Sequence, residues 1–338
     1  MKVLVTGSNG FLGAALVERL LAHGENDIRC LVRPGSSRTR LEALQARYPE
    51  AGLELFVGTL NSPESVAPAL HGVDTVYHLA AGMRGSAADL FLSSVVTSKN
   101  LLEAIRRHGA IKVVLVSSFG VYGVANLPRG SVVNEETPLE PHPERRDLYS
   151  YAKLRQEQLF REYAERDGFP LVVLRPGVIY GPSGSAISSR VGLKLFGVFL
   201  HLGGRNLLPL SYVDNCAEAI VLAGRNTGAI GKTYNVHDDD LPTCRQYLQR
   251  YRREVRRMRV VPLPYWVTQW LSRRVERYHA RSKGQLPAVF TPYKTAASWK
   301  GNRFDNGRLK GLGWRQIVTT EEGIRRTFAY AKANPERA

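Results

Sequence analysis

An apolar run, Val3-Leu4-Val5, breaks into Thr6-Gly7-Ser8-Asn9-Gly10-Phe11-Leu12-Gly13, and apolar residues then recur at helical spacing through Leu16, Leu20 and Leu21. A strand, a glycine-rich turn and a helix in immediate succession form a cradle for a pyrophosphate. Gly7 permits the tight turn, Gly10 lets the backbone approach the phosphates, and Gly13 lets the helix pack against the strand. The helix N-terminus adds free N–H groups and the positive end of its dipole. Dinucleotide contacts are therefore expected along Gly7, Asn9, Gly10, Phe11, Leu12 and Gly13.

Short β-branched runs alternate with helical patterns through the first half of the chain. This predicts an α/β fold, a doubly wound parallel sheet of Rossmann type with helices on both faces. Strands are expected at 2–6, 27–32, 53–57, 74–79, 112–117 and 171–175, and helices near 11–23, 63–70, 88–108 and 149–167. Segment 120–147, rich in Pro, Gly and charge, reads as a loop over the active site. The dinucleotide domain is expected to comprise 1–183 and 211–237, and a smaller, basic C-terminal substrate lobe 184–210 and 238–330.

No stretch of the 338 residues approaches the roughly 20 apolar positions needed to span a bilayer. The chain enters its first strand without a secretory pattern, so a cytoplasmic protein is expected. Cys30, Cys216 and Cys244 are odd in number and widely spaced, which predicts neither a disulfide nor a metal site. Charge is uneven: residues 242–338 carry 22 Lys/Arg against 6 Asp/Glu, +16 of the net +17. Such a lobe attracts a phosphorylated small molecule, nucleic acid or an anionic membrane, or is simply a solvated basic surface. No nucleic-acid module accompanies it, so no specific nucleic-acid partner is expected.

Strand 27–32 ends in Arg33-Pro34-Gly35-Ser36-Ser37-Arg38, where NAD sites usually offer a carboxylate to the ribose 2′-hydroxyl. Arg33, supported by Arg38, is placed to clamp a 2′-phosphate instead. NADP is favoured over NAD; the alternative is that Arg33 stacks on adenine and the cofactor is NAD.

Tyr149-Ser150-Tyr151-Ala152-Lys153 opens a helix in which Tyr149 and Lys153, four apart, share one face. A neighbouring ammonium is expected to lower the Tyr149 pKa and make it a proton shuttle. Val113-Val114-Leu115-Val116 leads into Ser117-Ser118 at the carboxyl edge of the sheet, where Ser118 can hydrogen-bond the substrate oxygen.

These residues resemble an extended short-chain dehydrogenase/reductase of the NAD-dependent epimerase/dehydratase family. The shared motifs are the glycine turn, His78-Leu79-Ala80-Ala81, Ser117-Ser118…Val121-Tyr122-Gly123, Tyr149…Lys153, Arg175-Pro176…Ile179-Tyr180-Gly181-Pro182 and Tyr212-Val213-Asp214-Asn215. The resemblance implies a catalytic triad of Ser118, Tyr149 and Lys153, with Lys153 also holding the nicotinamide ribose. It implies cofactor contacts from Leu79, Ala80, Ala81 and Ser117, with Pro176 and Val178 at the nicotinamide end, and a homodimer. Thr59-Leu60, also placed on the cofactor, departs from the family's Asp-Leu at that point. Phe119-Gly120 replaces the Asp-Glu of sugar-nucleotide dehydratases, so loss of water is not expected.

Three functions remain open. The first is a nucleotide-sugar epimerase or keto-sugar reductase, with Met83, Ser118 and Arg205 toward the substrate and Arg205 on its diphosphate. The second is a reductase of an apolar or lipid-linked alcohol or ketone, like hydroxysteroid dehydrogenases and dihydroflavonol reductases. Segment 262–278 bears on it, since Trp266, Trp270, Leu271 and Val275 stand beside Arg273, Arg274 and Arg277. That mixture suits peripheral membrane contact, or a helix packed on its own core, the commoner outcome. The third is a non-catalytic dinucleotide-sensing or nucleic-acid-binding relative.

Overall fold

The computed structural model describes residues 1–83, 85–109, 111–281 and 290–337. Strands β1 (Val3–Thr6), β2 (Asp27–Val32), β3 (Gly52–Val57), β4 (Thr75–His78), β5 (Lys112–Val116), β6 (Leu171–Pro176) and β7 (Thr233–Val236) form one sheet. Its order is β7-β6-β5-β4-β1-β2-β3, and every pairing is parallel. Runs such as Val113-Val114-Leu115-Val116 are buried along their whole length because both faces are covered, as parallel sheets require. Helices α1 (Phe11–Ala22) and α4 (Val213–Arg225) cover one face through Leu16, Val17, Leu20, Ile220 and Val221. Helices α2 (Thr97–His108) and α3 (Leu148–Asp167) cover the other through Leu101, Ile105 and Phe160.

The chain runs outward from β1 through β2 to β3, then returns to lay β4 on the other side of β1. The switch point where ligands bind in such sheets therefore lies at the carboxyl ends of β1 and β4.

The expected helix near 88–108 is interrupted. Ala87–Phe91 passes into a π-helical turn, Leu92–Val96, before α2 begins. Hydroxyls loosen the ladder there, with Thr97 donating to the Ser93 carbonyl and Ser98 to the Ser94 carbonyl. A helix over Thr39–Arg47 was not expected; Leu41 and Leu44 are its buried anchors, too few to show as a period.

Beyond β6, Val178–Tyr180 pairs in parallel with Leu210–Tyr212, and Gly192–Leu195 forms a hairpin with Val198–His201. A third core, with Tyr180, Tyr212, Tyr247 and Phe328, lies beneath them. Segment 120–147 is pinned by the end of the chain. Val132–Val133 pairs with Arg303–Phe304, and Tyr122, Val124 and Val133 pack on Tyr293 and Ala297.

Helix α6 (Tyr265–Arg281) packs beside α7 (Pro292–Trp299), the helices being numbered with α5 at Cys244–Glu254. Its buried residues are Thr268 and Ser272, so its aromatic residues do not form the expected packed core. Cys30, Cys216 and Cys244 are free, buried thiols, and the described residues contain no cluster suited to a metal ion. No described helix is long and apolar enough to cross a membrane.

Candidate active site

The glycine turn fits a dinucleotide on steric grounds. Gly7 has a φ of +69°, and a Cβ there would lie 3.0 Å from the Ala80 nitrogen. A Cβ on Gly13 would lie 2.0 Å from the Gly7 carbonyl oxygen, so the helix can sit this close only with glycine at its start. Gly10 caps α1 without a side-chain hydrogen bond, leaving the first N–H groups to a ligand. Asn9 Nδ2 donates to the Ser37 carbonyl at 3.3 Å, tying the turn to the end of β2. There Arg33 is exposed and Arg38 half-buried, and neither makes an ion pair among the described residues. Arg40, two residues further, reaches across to the Ser183 hydroxyl.

Leu79, Ala80 and Ala81 are half-buried beside the turn, and Met83 is 70% exposed at the far end of the same strand exit. Leu60 is buried in the sheet's second core and its carbonyl accepts from Asn100 at 2.9 Å, while Thr59 Oγ1 donates to Ser65. Pro176 is buried at the end of β6 and Val178 half-buried just past it, its N–H donating to the Pro209 carbonyl.

Asp147 sets the position of the catalytic candidates on α3. It is the N-cap, accepting from the Ser150 N–H at 2.9 Å and the Ser150 hydroxyl at 2.8 Å. Tyr149 therefore lies in the first turn and Lys153 one turn on, both facing the end of β5. Ser118 caps the short turn Phe119–Val121 and lies close enough to the Tyr149 hydroxyl to act on its titration. Burial raises the Tyr149 pKa, the Ser118 hydroxyl opposes that rise, and Asp147 adds to it. This corrects the expectation of a lowered pKa. The Lys153 ammonium is turned to the Val116 carbonyl and Gln156 Oε1, each at 2.7 Å. Burial pushes Lys153 itself down to about 8, against the pull of Glu157.

Behind Lys153 runs a buried polar network. Gln156 Nε2 donates to Ser98 Oγ at 2.8 Å and to the Ala80 carbonyl at 3.1 Å. His78 joins Thr6 through Nδ1 at 2.8 Å and Ser98 through Nε2 at 2.9 Å. Ser98 spends its own proton on the Ser94 carbonyl, so the network assigns the imidazole proton to Nε2. Burial, then the Lys153 charge, pushes His78 down to about 3, leaving it neutral.

The Ser117 hydroxyl donates to Glu157 Oε2 at 2.6 Å inside the sheet and its N–H to the Leu174 carbonyl at 2.7 Å, so any contact of Ser117 with a cofactor falls to its carbonyl. Glu157 also accepts from Arg175 Nε at 3.1 Å and from Arg161. Burial alone would raise its carboxyl, but Arg175 and Arg161 bring it below the ordinary glutamate value. Arg205 lies exposed on the turn Gly203–Asn206, away from this network and without an ion-pair partner among the described residues.

A different arginine lines a small pocket within the lobe. Arg190 shares it with Asn206, Cys244, Ser298 and Asn302, and its guanidinium makes no hydrogen bond among the described residues. Burial and the Arg146 charge lower its pKa, while Cys244 and Asp147 oppose that shift. The Asn302 side-chain oxygen is likewise buried without a partner. Gln156, Glu157 and Arg190 carry no motif, and only the Lys153, Gln156 and Glu157 spacing on one helical face points to the first two.

The profile of the NAD-dependent epimerase/dehydratase family matches residues 3–236. An uncharacterised UDP-glucose epimerase, YtcB, of Bacillus subtilis is 30% identical over 252 residues, covering 70% of this chain and 76% of that one. Human sterol-4-alpha-carboxylate 3-dehydrogenase, decarboxylating, is 26% identical over 96% of this chain and 86% of its own. The structure of Thermus thermophilus UDP-glucose 4-epimerase in complex with NAD superposes with a TM-score of 0.71 at 25% identity, covering 99% and 100% of the two chains. With the sheet order and glycine cradle described above, these matches identify the chain as an enzyme of the NAD-dependent epimerase/dehydratase family.

Proposed function

We propose that the protein is an NAD(P)-dependent oxidoreductase or epimerase that moves a hydride at a carbinol or ketone carbon of a nucleotide-linked sugar. NADP is preferred to NAD, and a homodimer through α2 and α3 is its working form. The observation that carries this reading is that Ser118 acts on the Tyr149 hydroxyl at the carboxyl edge of β5, with Lys153 one turn on along α3 and bonded to the last carbonyl of that strand. Bound in that cradle, a nicotinamide dinucleotide supplies or accepts the hydride.

The chain's own groups handle the proton and the charge. The Ser118 hydroxyl orients the substrate oxygen, and the Tyr149 hydroxyl gives it a proton or takes one. Lys153, cationic below about pH 8, supplies positive charge as the tyrosine loses its proton. Arg190 and Arg205, neither with an ion-pair partner among the described residues, are the candidate anchors of the diphosphate. Phe119 and Gly120 offer no carboxylate for a second proton, and a Cβ on Gly120 would lie 2.7 Å from Ser150 Oγ. Redox or epimerisation is thus favoured over loss of water.

One observation favours a second reading, a lipid-linked or otherwise apolar substrate: the outward aromatic face of α6. The test for both is turnover with a panel of nucleotide sugars, their free sugars and apolar ketones, using wild type and Tyr149→Phe. Turnover of nucleotide sugars alone, lost by roughly a hundred- to ten-thousandfold in the variant while cofactor still binds, is expected. Unchanged turnover in Tyr149→Phe would remove the catalytic assignment, and turnover of apolar ketones alone would favour the second substrate class.

A further inference from the structure

Amphipathic helices on a globular surface bury their large apolar residues and show polar ones to water. Helix α6 does the reverse. Its small polar residues Thr268 and Ser272 are its buried side chains, and Gln269 Nε2 bonds the Pro292 carbonyl at 3.2 Å to hold it on α7. Outside stand Trp266, 73% exposed, Trp270 at 50% and Tyr278 at 61%, with Leu271 and Val275 at the flank. Arg273, Arg274 and Arg277 lie among them, exposed and without an ion pair among the described residues. The Arg274 guanidinium sits 4.9 Å from the Trp270 ring centroid.

We propose that this face of α6 docks the protein on an anionic lipid bilayer, with Trp266 and Trp270 at the level of the headgroups and the three arginines on the headgroup phosphates. Indole rings, apolar with one N–H donor, favour that boundary, and arginine beside them matches the anionic layer. The remainder of the lobe reinforces the match, since 22 of the residues from 242 to 338 are basic and 6 acidic. A second copy is a poorer occupant, because a two-fold contact across this helix would oppose its own arginine row. Ala297 and Ser298 of α7, the helix beside which α6 packs, line the small pocket with Arg190, so a docked α6 brings the bilayer near that pocket. The proposal stands on this surface alone and does not depend on the reaction assigned to Tyr149.

The test is co-sedimentation of the full chain with phosphatidylcholine vesicles, with and without phosphatidylglycerol. Tryptophan emission is followed alongside, since Trp299 and Trp314 are buried and only the two α6 indoles can change environment strongly. Binding that needs phosphatidylglycerol and shifts emission to the blue is expected. Each charge near such a surface contributes roughly fivefold in partition, so Arg273→Glu/Arg277→Glu should lose at least about twentyfold. Trp266→Ser/Trp270→Ser should lose roughly tenfold or more, and both variants should keep wild-type circular dichroism and cofactor affinity. Absence of vesicle binding at low salt, or binding that neither variant weakens, overturns the proposal. Binding of a DNA duplex or RNA in place of vesicles would overturn it as well.

Discussion

Lys153 and Gln156, three residues apart on α3, are joined by a 2.7 Å hydrogen bond from the ammonium to the amide oxygen. The other half of that amide reaches Ser98 and the Ala80 carbonyl, so the lysine is aimed from the cofactor side of the sheet. A neutral acceptor still favours the charged lysine. The alkaline limb of turnover is expected near pH 8, where Lys153 loses its proton. Gln156→Leu removes the acceptor, makes the ammonium harder to keep, and moves the limb to lower pH. A pH–rate profile checks this, and a limb left in place would detach Lys153 from the proton step.

Arg33 stands exposed where β2 ends, without an ion pair among the described residues. If its guanidinium holds a 2′-phosphate, Arg33→Ala weakens NADP binding roughly ten- to a hundredfold and leaves NAD nearly unchanged. Calorimetric titration with both cofactors measures the difference. Tighter NAD binding by the wild type would reverse the cofactor assignment.

Glu157, fully buried, balances Arg175, whose side chain is 4% exposed. Removing one partner of such a pair leaves a buried charge uncompensated. Glu157→Gln is expected to cost about 3–5 kcal/mol in urea unfolding, whereas Arg161→Ala, at the solvent end of the same cluster, should cost about 1 kcal/mol or less. Equal losses would show that Arg175 finds other compensation.

Asp238 accepts from Asn215 at 2.8 Å, from the Tyr180 hydroxyl at 2.8 Å and from the Tyr212 N–H, yet burial still raises its pKa to about 6. Below about pH 4 both folded and unfolded states hold the proton. Between about pH 4 and about pH 6 the unfolded state gives it up first, so this group's contribution to stability falls as pH rises. The loss approaches about 3 kcal/mol above pH 6. Urea melts of Asp238→Asn should lack this slope while keeping any due to other groups.

The parts of the site that are easy to read in sequence are those in which backbone geometry dictates residue type. Gly7 and Gly13 had to be glycine, because a Cβ at either would strike the backbone, and the parallel strands had to be apolar because both faces are covered. Tyr149 and Lys153 showed by their spacing. Gln156 and Glu157 did not, since buried polar residues on a helix look like its solvent face, and their burial depends on partners from β4 and β6. Helix α6 misled for a related reason. Apolar content points to a packed core, but the side chains α6 buries are Thr268 and Ser272, Gln269 ties it to α7, and Trp266 and Trp270 are turned out. Arg190 lies where the chain has no regular period, and only the folded lobe shows that it lacks a partner.

Glu140 accepts from the Tyr293 hydroxyl and from Arg146, and Arg146 in turn holds the Tyr122 carbonyl at 3.1 Å. The loop that leads to Tyr149 thus closes on a residue made 153 positions after Glu140. During synthesis β1, β2 and β4, which frame the glycine cradle, all emerge long before that loop has Tyr293 to lock against. A nascent chain that has reached β7 would thus carry its phosphate cradle ahead of a finished catalytic loop. The order of emergence from the ribosome separates holding the dinucleotide from using it.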